Sequence, residues 1–307
     1  MNVAIIGRTK ILLDSILRIK ADGHKIVCIV TAKEAPEYGF GESDFREYCE
    51  KFSIPYAKGA NILNHTNLLA NSNADIAVSI NYPGIIPKSV IDIFPFGILN
   101  AHGGDLPKYR GNACQAWAIL NGESKIGLCI HKMIGGELDS GDIISRSYLD
   151  INQQTKITLV YDWMASQIPS LFAESIQKLF TDKNYYLEKQ SKNPEHILHC
   201  YPRKPEDGKI DWNLTNTEIL RLVNATNKPF QGAYCIFNNK KMIIWDAFIS
   251  NHSEEKFCAI PGQIIKIQNE FVEIACGEGK IRIREVEYEQ KVQNPSGLIN
   301  SYRQRLC

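Results

Sequence analysis

The sequence has no excess of either charge. Its 35 Lys and Arg face 34 Asp and Glu, leaving a formal net charge of +1. A chain this balanced offers no general electrostatic footprint for nucleic acid, and only a local basic patch would supply one. Long hydrophobic runs are missing too. None reaches the ~18 residues of a membrane-crossing helix, and mean hydropathy is −0.22. The N-terminus, MNVAIIGRTK, lacks a basic start, an extended apolar stretch and a small-residue cleavage site, so it does not read as a secretory signal. No CxxC pair occurs among the nine cysteines, their number is odd, and several sit in apolar runs such as IVCIV and IGLCIH. This excludes a disulfide framework and points to buried reduced thiols in the cytoplasm. Zinc finds no support either. His196, His199 and Cys200 (HILHC) come nearest to a ligand cluster, no second cluster lies at finger spacing, and no metal is expected. The first strand–turn, Gly7-Arg8-Thr9-Lys10-Ile11-Leu12, holds one glycine where a dinucleotide fingerprint needs three, and there is no P-loop. NAD, FAD and ATP lose ground accordingly.

What is present is a globular chain of 307 residues, 44% hydrophobic and 22% charged, long enough for two domains. Apolar runs at Val3–Gly7, Lys25–Thr31, Ala74–Ile80 and Ile98–Ala101 read as buried strands. Helical patterns separate them, one carrying Ile11, Leu12, Ser15, Ile16 and Ile19, another capped by Ser43 and carrying Phe45, Tyr48 and Phe52. Such alternation predicts an α/β parallel sheet with helices on both faces. A long helix is expected over Thr155–Phe180, kinked or divided at Pro169. After it, a helix near Thr217–Ala225 precedes short strand patterns at 233–237, 242–248, 263–267, 271–275 and 281–286. These suggest a smaller, mostly-β, barrel-like C-terminal domain. The expected division is a catalytic domain over 1–185, a polar linker over 186–210 and the β-rich domain over 211–307. No internal repeat or low-complexity tract is present.

In open α/β sheets, ligands gather at the carboxyl ends of the strands. Two loops stand out there, Asn81–Pro87 (NYPGIIP) and Asn100–Gly111 (NAHGGDLPKYRG). On a strand, Asn100 and His102 project from one face. A histidine takes a proton near neutral pH and a carboxamide donates to a developing oxyanion. A carboxylate would orient the histidine and support its cation, and Asp139 (ELDSGDI) is the candidate. Singly, each has an ordinary reading: Asn100 as a turn cap, His102 as a loop histidine, Asp139 as a turn former.

Residues 100–143, NAHGGDLPKYRGNACQAWAILNGESKIGLCIHKMIGGELDSGDI, carry these residues in one run. The run resembles the core of the 10-formyltetrahydrofolate-dependent formyltransferases. It has their Asn-x-His strand end, Leu-Pro and Arg-Gly loop, Ala-Ile-x-x-Gly helix, Gly-x-x-x-His strand and Asp-x-Gly-x-Ile turn. Asn2–Gly7, Thr155–Trp163, YPRKPEDGKIDW at 201–212 and PFQGAY at 229–234 extend the resemblance over nearly the whole chain. It implies a Rossmann-like catalytic domain, 10-formyltetrahydrofolate as co-substrate, and Asn100, His102 and Asp139 as catalytic residues. An amine would attack the formyl carbon. Asn100 and a protonated His102 would stabilise the oxyanion, or a neutral His102 would take the amine's proton. The pterin would lie against the Asn81–Pro87 loop, with Ser79, Tyr82, Pro83, Gly84 and Ile85 as contacts. Tyr82 and Ile85 also have an ordinary packing reading. One departure is Gly104-Asp105-Leu106-Pro107, where many members have Ser-Leu-Leu-Pro. It places Asp105 on the acceptor's path.

The family's acceptors include initiator tRNA and nucleotide-linked amino sugars. A tRNA enzyme needs cations where the phosphates lie. Thr31–Glu42 (TAKEAPEYGFGE) holds one Lys and three Glu, and residues 206–307 hold 13 Lys and Arg against 13 Asp and Glu. Neither offers a platform. Asp105, Lys108, Arg110 and Asn112 are the candidate contacts to a sugar nucleotide, and Phe230 a candidate stacker on its base. The segment GDLPKYRGNA looks most like the sugar-nucleotide branch, with a dTDP-linked 4-amino-4,6-dideoxyglucose for surface polysaccharide as the expected acceptor. The partners implied are small molecules, without nucleic acid or membrane, and a homodimer. Three alternatives stand beside this: a methionyl-tRNA formyltransferase, a folate-dependent hydrolase, and a non-catalytic folate-fold binding or scaffold protein.

Overall fold

The computed structural model describes residues 1–33, 42–249 and 257–307. Most of the Thr31–Glu42 loop, from 34 to 41, lies outside the described residues. Strands and helices alternate as β1 (Asn2–Gly7), α1 (Lys10–Ala21), β2 (Lys25–Thr31), α2 (Glu42–Phe52), β3 (Tyr56–Lys58), α3 (Thr66–Asn71), β4 (Ile76–Ile80), α4 (Lys88–Ile91) and β5 (Ile98–His102). There follow β6 (Arg110–Gly111), α5 (Cys114–Leu120), β7 (Lys125–Lys132), β8 (Ile143–Asp150), α6 (Ile157–Thr181) and β9 (His199–Cys200). The chain divides into two compact units. The first comprises Met1–Cys114, Ile126–Leu149 and Tyr161–Cys200, the second Gln115–Lys125, Asp150–Val160 and Tyr201–Cys307.

The first unit is built on a seven-stranded sheet in the order β3-β2-β1-β4-β5-β7-β8. Residues 3–7 of β1 and all of β4 are buried, as strands covered on both faces must be. Burying each such Ile or Val contributes about 1.5–3 kcal/mol. Strands β3 to β5 pair in parallel through β2, β1 and β4. β7 runs antiparallel to β5, so the sheet is mixed rather than wholly parallel. Gly7 has a local reason. A Cβ there would lie 2.1 Å from the Ile80 carbonyl oxygen, so this glycine permits the close approach of β1 and β4. α1 buries Leu12, Ser15, Ile16 and Ile19 at helical spacing, and the Ser15 hydroxyl is satisfied by Ile11 O at 2.7 Å. α2 begins one residue before the expected cap at Ser43, an ordinary displacement at a helix end. α6 runs unbroken for 25 residues through Pro169, neither ended nor divided there. No described helix is long and apolar enough to cross a membrane.

The second unit holds α7 (Asn216–Ala225) and strands β10 (Ala233–Phe237), β11 (Lys240–Phe248), β12 (Ile264–Ile267), β13 (Val272–Ala275), β14 (Lys280–Tyr288) and β15 (Lys291–Gln293). They form one antiparallel sheet, β10-β11-β14-β13-β12, with β15 on β14. β15 has no sequence signal, because it is short and polar. The core beneath holds Trp212, Ile219, Val223, Phe237, Met242 and Ile283. α7 starts with a reciprocal cap. Thr215 Oγ1 accepts from the Glu218 N–H at 3.2 Å, and Glu218 Oε2 accepts from the Thr215 N–H at 2.9 Å. Thr215→Ala is expected to lower stability by about 1 kcal/mol. Urea unfolding checks this, and an unchanged midpoint would show that the cap contributes nothing.

Candidate active site

Asn100 and His102 close β5, and the antiparallel register sets His131 of β7 opposite Asn100. Residues directly opposite share a face, so the three side chains meet. The Asn100 Nδ2 lies 3.2 Å from His131 Nε2, and His131 Nδ1 lies 3.0 Å from the Lys132 carbonyl. A carbonyl only accepts, so His131 Nδ1 carries a proton, and in the neutral ring Nε2 accepts from the Asn100 amide. That uses one of the two amide hydrogens and orients the other.

Asp139, in the turn between β7 and β8, joins the group. Its Oδ2 is 3.4 Å from His102 Nδ1 and its Oδ1 is 3.4 Å from His131 Nε2. Oδ2 also accepts the Gly111 N–H at 2.9 Å. Asp139 has φ +48°, in the left-handed region. His102 Nε2 donates to the Tyr109 carbonyl at 2.6 Å. By the same reasoning Nε2 carries a proton whether His102 is neutral or charged. Nδ1, facing Asp139, is therefore the position that gains and loses one.

Burial governs the charges. It pushes the His102 imidazole below its ordinary value, against the Asp139 charge, which raises it. Burial also opposes ionisation of Asp139, but the protonated form of His102, the protonated form of His131, which donates from Nε2, and the Gly111 N–H together hold it well below the usual carboxylate range. The resting pair is a neutral imidazole beside an ionised carboxylate. A proton arriving on Nδ1 meets a counter-ion already in place, which is the arrangement of a general base.

The surroundings explain how these groups are held. Arg110 is buried, and its Nε and Nη2 reach Gln190 Oε1 at 3.2 and 2.8 Å. Asp105 Oδ1 accepts from Arg146 Nη1 at 2.5 Å and from the Tyr148 hydroxyl at 2.9 Å. Arg146 Nη2 also donates to Leu106 O at 2.7 Å and Glu188 Oε2 at 2.8 Å. The carboxylate that marks the departure at 105 is thus anchored to β8. The backbone there runs close to β7, for a Cβ on Gly127 would lie 2.7 Å from Asp105 Cα. Lys108 Nζ lies 5.2 Å from the Tyr109 ring centroid, and the Asn112 N–H donates to Cys200 O at 3.0 Å. Phe230 lies in the second unit, its N–H on Asn227 O at 3.0 Å.

Ser79 is buried on β4, where Asn100 is its neighbour across the pairing with β5. The following loop leans on the chain at 59–60. The Tyr82 hydroxyl, pushed up to about 12 by burial, donates to Gly59 O at 2.6 Å. A Cβ on Gly84 would lie 2.0 Å from Ala60 O. Pro83 is exposed, and Ile85 is 86% exposed. In HILHC, His196 Nδ1 is 2.9 Å from Ser191 Oγ, while β9 leaves His199 exposed and Cys200 buried. Among the described residues no cluster of three or more His, Cys, Asp and Glu is arranged to hold a metal.

Three residues enter without having been singled out. His131 stood in the Gly-x-x-x-His pattern, but only the antiparallel register shows what it touches. Arg146 and Gln190 carried no signal, since their partners lie 41 and 80 residues away.

Residues 1–176 match the family described as formyl transferase, and residues 203–303 match the formyl transferase C-terminal domain. The methionyl-tRNA formyltransferase of Rickettsia prowazekii (strain Madrid E) is 34% identical over 226 residues, 73% of this chain and 70% of that protein. That of Rickettsia bellii (strain RML369-C) is 28% identical over 309 residues, 99% of this chain and 97% of that protein. The fold is shared with an N-formyltransferase from Helicobacter canadensis, solved in complex with folinic acid and dTDP-3-aminofucose. Its TM-score is 0.69 at 20% identity, covering 92% of this chain and 99% of that one.

Proposed function

The chain belongs to the formyl transferase family, and on that premise we propose that it moves the formyl group of 10-formyltetrahydrofolate to the 4-amino group of a nucleotide-linked amino-deoxy sugar. The acceptor we assign is dTDP-4-amino-4,6-dideoxyglucose, for surface polysaccharide (O-antigen) synthesis. The observation that carries the chemistry is the meeting of Asn100, His102 and Asp139 at the end of β5.

The steps use these residues alone. The amine lone pair attacks the formyl carbon, and the carbonyl π pair moves onto oxygen. The second Asn100 amide hydrogen donates to that oxyanion. Neutral His102 takes the amine's proton on Nδ1, beside Asp139. Collapse of the intermediate breaks the bond to N10, and the His102 proton passes to that nitrogen. Tetrahydrofolate and a formamide leave, and His102 is neutral again.

For the acceptor, the charge pattern of the second unit supports a small anion over tRNA. Several of its cations lie against carboxylates. Lys280 and Arg282 meet Glu273 at 3.1 and 2.7 Å, and Lys156 and Arg284 meet Asp246 at 2.7 and 2.6 Å. Paired cations release few counter-ions on binding phosphate. Lys108 and Asn112 are the donors we assign to the sugar nucleotide. The second reading, initiator tRNA, is favoured by the names of the two Rickettsia relatives.

Tetrahydrofolate release from 10-formyltetrahydrofolate, followed spectroscopically with dTDP-, UDP- and GDP-linked 4-amino sugars and with charged initiator tRNA, separates the readings. Turnover on one sugar nucleotide and none on tRNA is expected. Turnover on tRNA alone would overturn the acceptor assignment and leave the chemistry standing.

A further inference from the structure

We propose that Gln190, backed by Arg110, is a positioning residue that holds the Asp139 turn and so aims its carboxylate between His102 and His131. The proposal rests on the reading of His102 and Asp139 given above. Gln190 is buried, 8% exposed, and both ends of its amide are engaged. Its Nε2 donates to the carbonyls of Asp139 at 2.8 Å and Gly141 at 2.7 Å. Its Oε1 accepts from Arg110 Nε and Nη2. A flipped amide would set donor against donor and acceptor against acceptor at every contact, so the orientation is fixed.

The Asp139 turn needs such support. Its φ of +48° is in the left-handed region, which aspartate tolerates better than most residues other than glycine, and contacts around the turn select it. Gln190 grips the carbonyls on either side of Ser140. The turn is pressed onto β7, since a Cβ on Gly141 would lie 1.9 Å from Lys132 O. The segment bearing Gln190 is itself fixed to the start of β8. Ile143 N–H donates to Glu188 O at 2.8 Å, and Leu187 N–H to Ile143 O at 2.8 Å. Arg110 is one residue from Gly111, whose N–H meets Asp139 Oδ2. Gln190 thus holds the backbone of the Asp139 turn, and Arg110 ties Gln190 to the strand whose next residue, Gly111, binds the carboxylate.

Two near-isosteric variants test this. Gln190→Met removes all four hydrogen bonds. Gln190→Glu keeps the acceptor for Arg110 and removes both donors to the turn. The first readout is the His102 imidazole titration by NMR on the full chain, assigned by comparison with His102→Ala, and it needs no acceptor. The groups that bear on His102 are Asp139, His131, Arg110 and the Tyr109 carbonyl. Its cross-strand neighbour Cys129 is a thiol pushed up to about 12 by burial. With Asp139 no longer held, the His102 titration in Gln190→Met should move down by about half a pH unit or more. The second readout is formyl transfer, where both variants should lose about 10- to 100-fold in kcat, with KM within about twofold.

An unmoved titration in folded Gln190→Met overturns the proposal. So does wild-type kcat in Gln190→Glu, which shows that the donors to the turn are dispensable. The glutamate variant decides the matter where the methionine variant does not fold. Failure of the acceptor assignment is separately visible, as an inactive wild type on the sugar panel with the titration shift intact.

Discussion

His102→Ala is expected to lower kcat for formyl transfer by about 10²–10⁴-fold while folding and folate binding persist. The imidazole is buried, donates through Nε2 to the Tyr109 carbonyl and presents Nδ1 to Asp139. No neighbouring group takes over the proton transfer. His131 has Nδ1 on the Lys132 carbonyl and Nε2 on the Asn100 amide. Removing the ring takes the His102 donor from the Tyr109 carbonyl, so a modest loss of stability accompanies the loss of rate. Single-turnover formyl transfer, with folate binding measured in parallel, separates the two effects. Turnover near the wild-type rate would reject His102 as the base.

Asp139→Asn is expected to cost about 10²–10⁴-fold in kcat, by analogy with the carboxylate of a histidine-based triad. It also changes the pH dependence in a defined direction. The pKa of the buried His102 lies below its ordinary 6.5, so burial of the neutral ring stabilises the fold fully above that pH. This contribution is lost as pH falls from 6.5 through the lower folded value. Asp139 is depressed from 3.8, so its contribution is present above that pH and is lost as pH falls through its folded value. Both groups therefore make the wild type less stable on acidification. In the asparagine variant the second contribution vanishes, and His102 loses the charge that raised it. The acid limb of kcat/KM should move to lower pH, and the stability loss below pH 3.8 should shrink. Rate profiles and urea unfolding from acid to neutral pH check both. An acid limb displaced to higher pH would contradict the role given to Asp139.

The sequence shows what short-range physics decides. Runs such as VAIIG and IAVSI are legible as strands because burial on both faces demands unbroken apolar residues. Asn100 and His102 share a face because strand geometry alternates. Long-range pairing is hidden. That β7 runs antiparallel, bringing His131 against Asn100, follows from the path of the chain between β5 and β7 and leaves no local mark. Gln190 sits in a polar stretch that reads as linker, yet it reaches the Asp139 turn because Leu187 and Glu188 pair with Ile143. Asp105 reads as a carboxylate facing an acceptor, because nothing nearby announces Arg146 as its partner. Regional charge sums do not show which cations are paired: Lys280 and Arg282 meet Glu273, and Lys156 and Arg284 meet Asp246, across long sequence separations or strand pairings.

The anchoring of Asp105 limits what can replace it. Many members of the family the chain resembles have leucine at this position, and leucine here would leave the buried Arg146 guanidinium with Leu106 O and the exposed Glu188 carboxylate as its remaining acceptors. Leaving a buried cation short of its partner is strongly unfavourable. Glycine at 127 is tied to the same place, because a side chain there would strike the backbone at 105. Positions 105 and 146 therefore constrain one another's substitutions, while 127 must stay glycine whatever stands at 105. Asp105 and Arg146 thus behave as one unit of substitution: leucine at 105 is tolerable where residue 146 is no longer a cation.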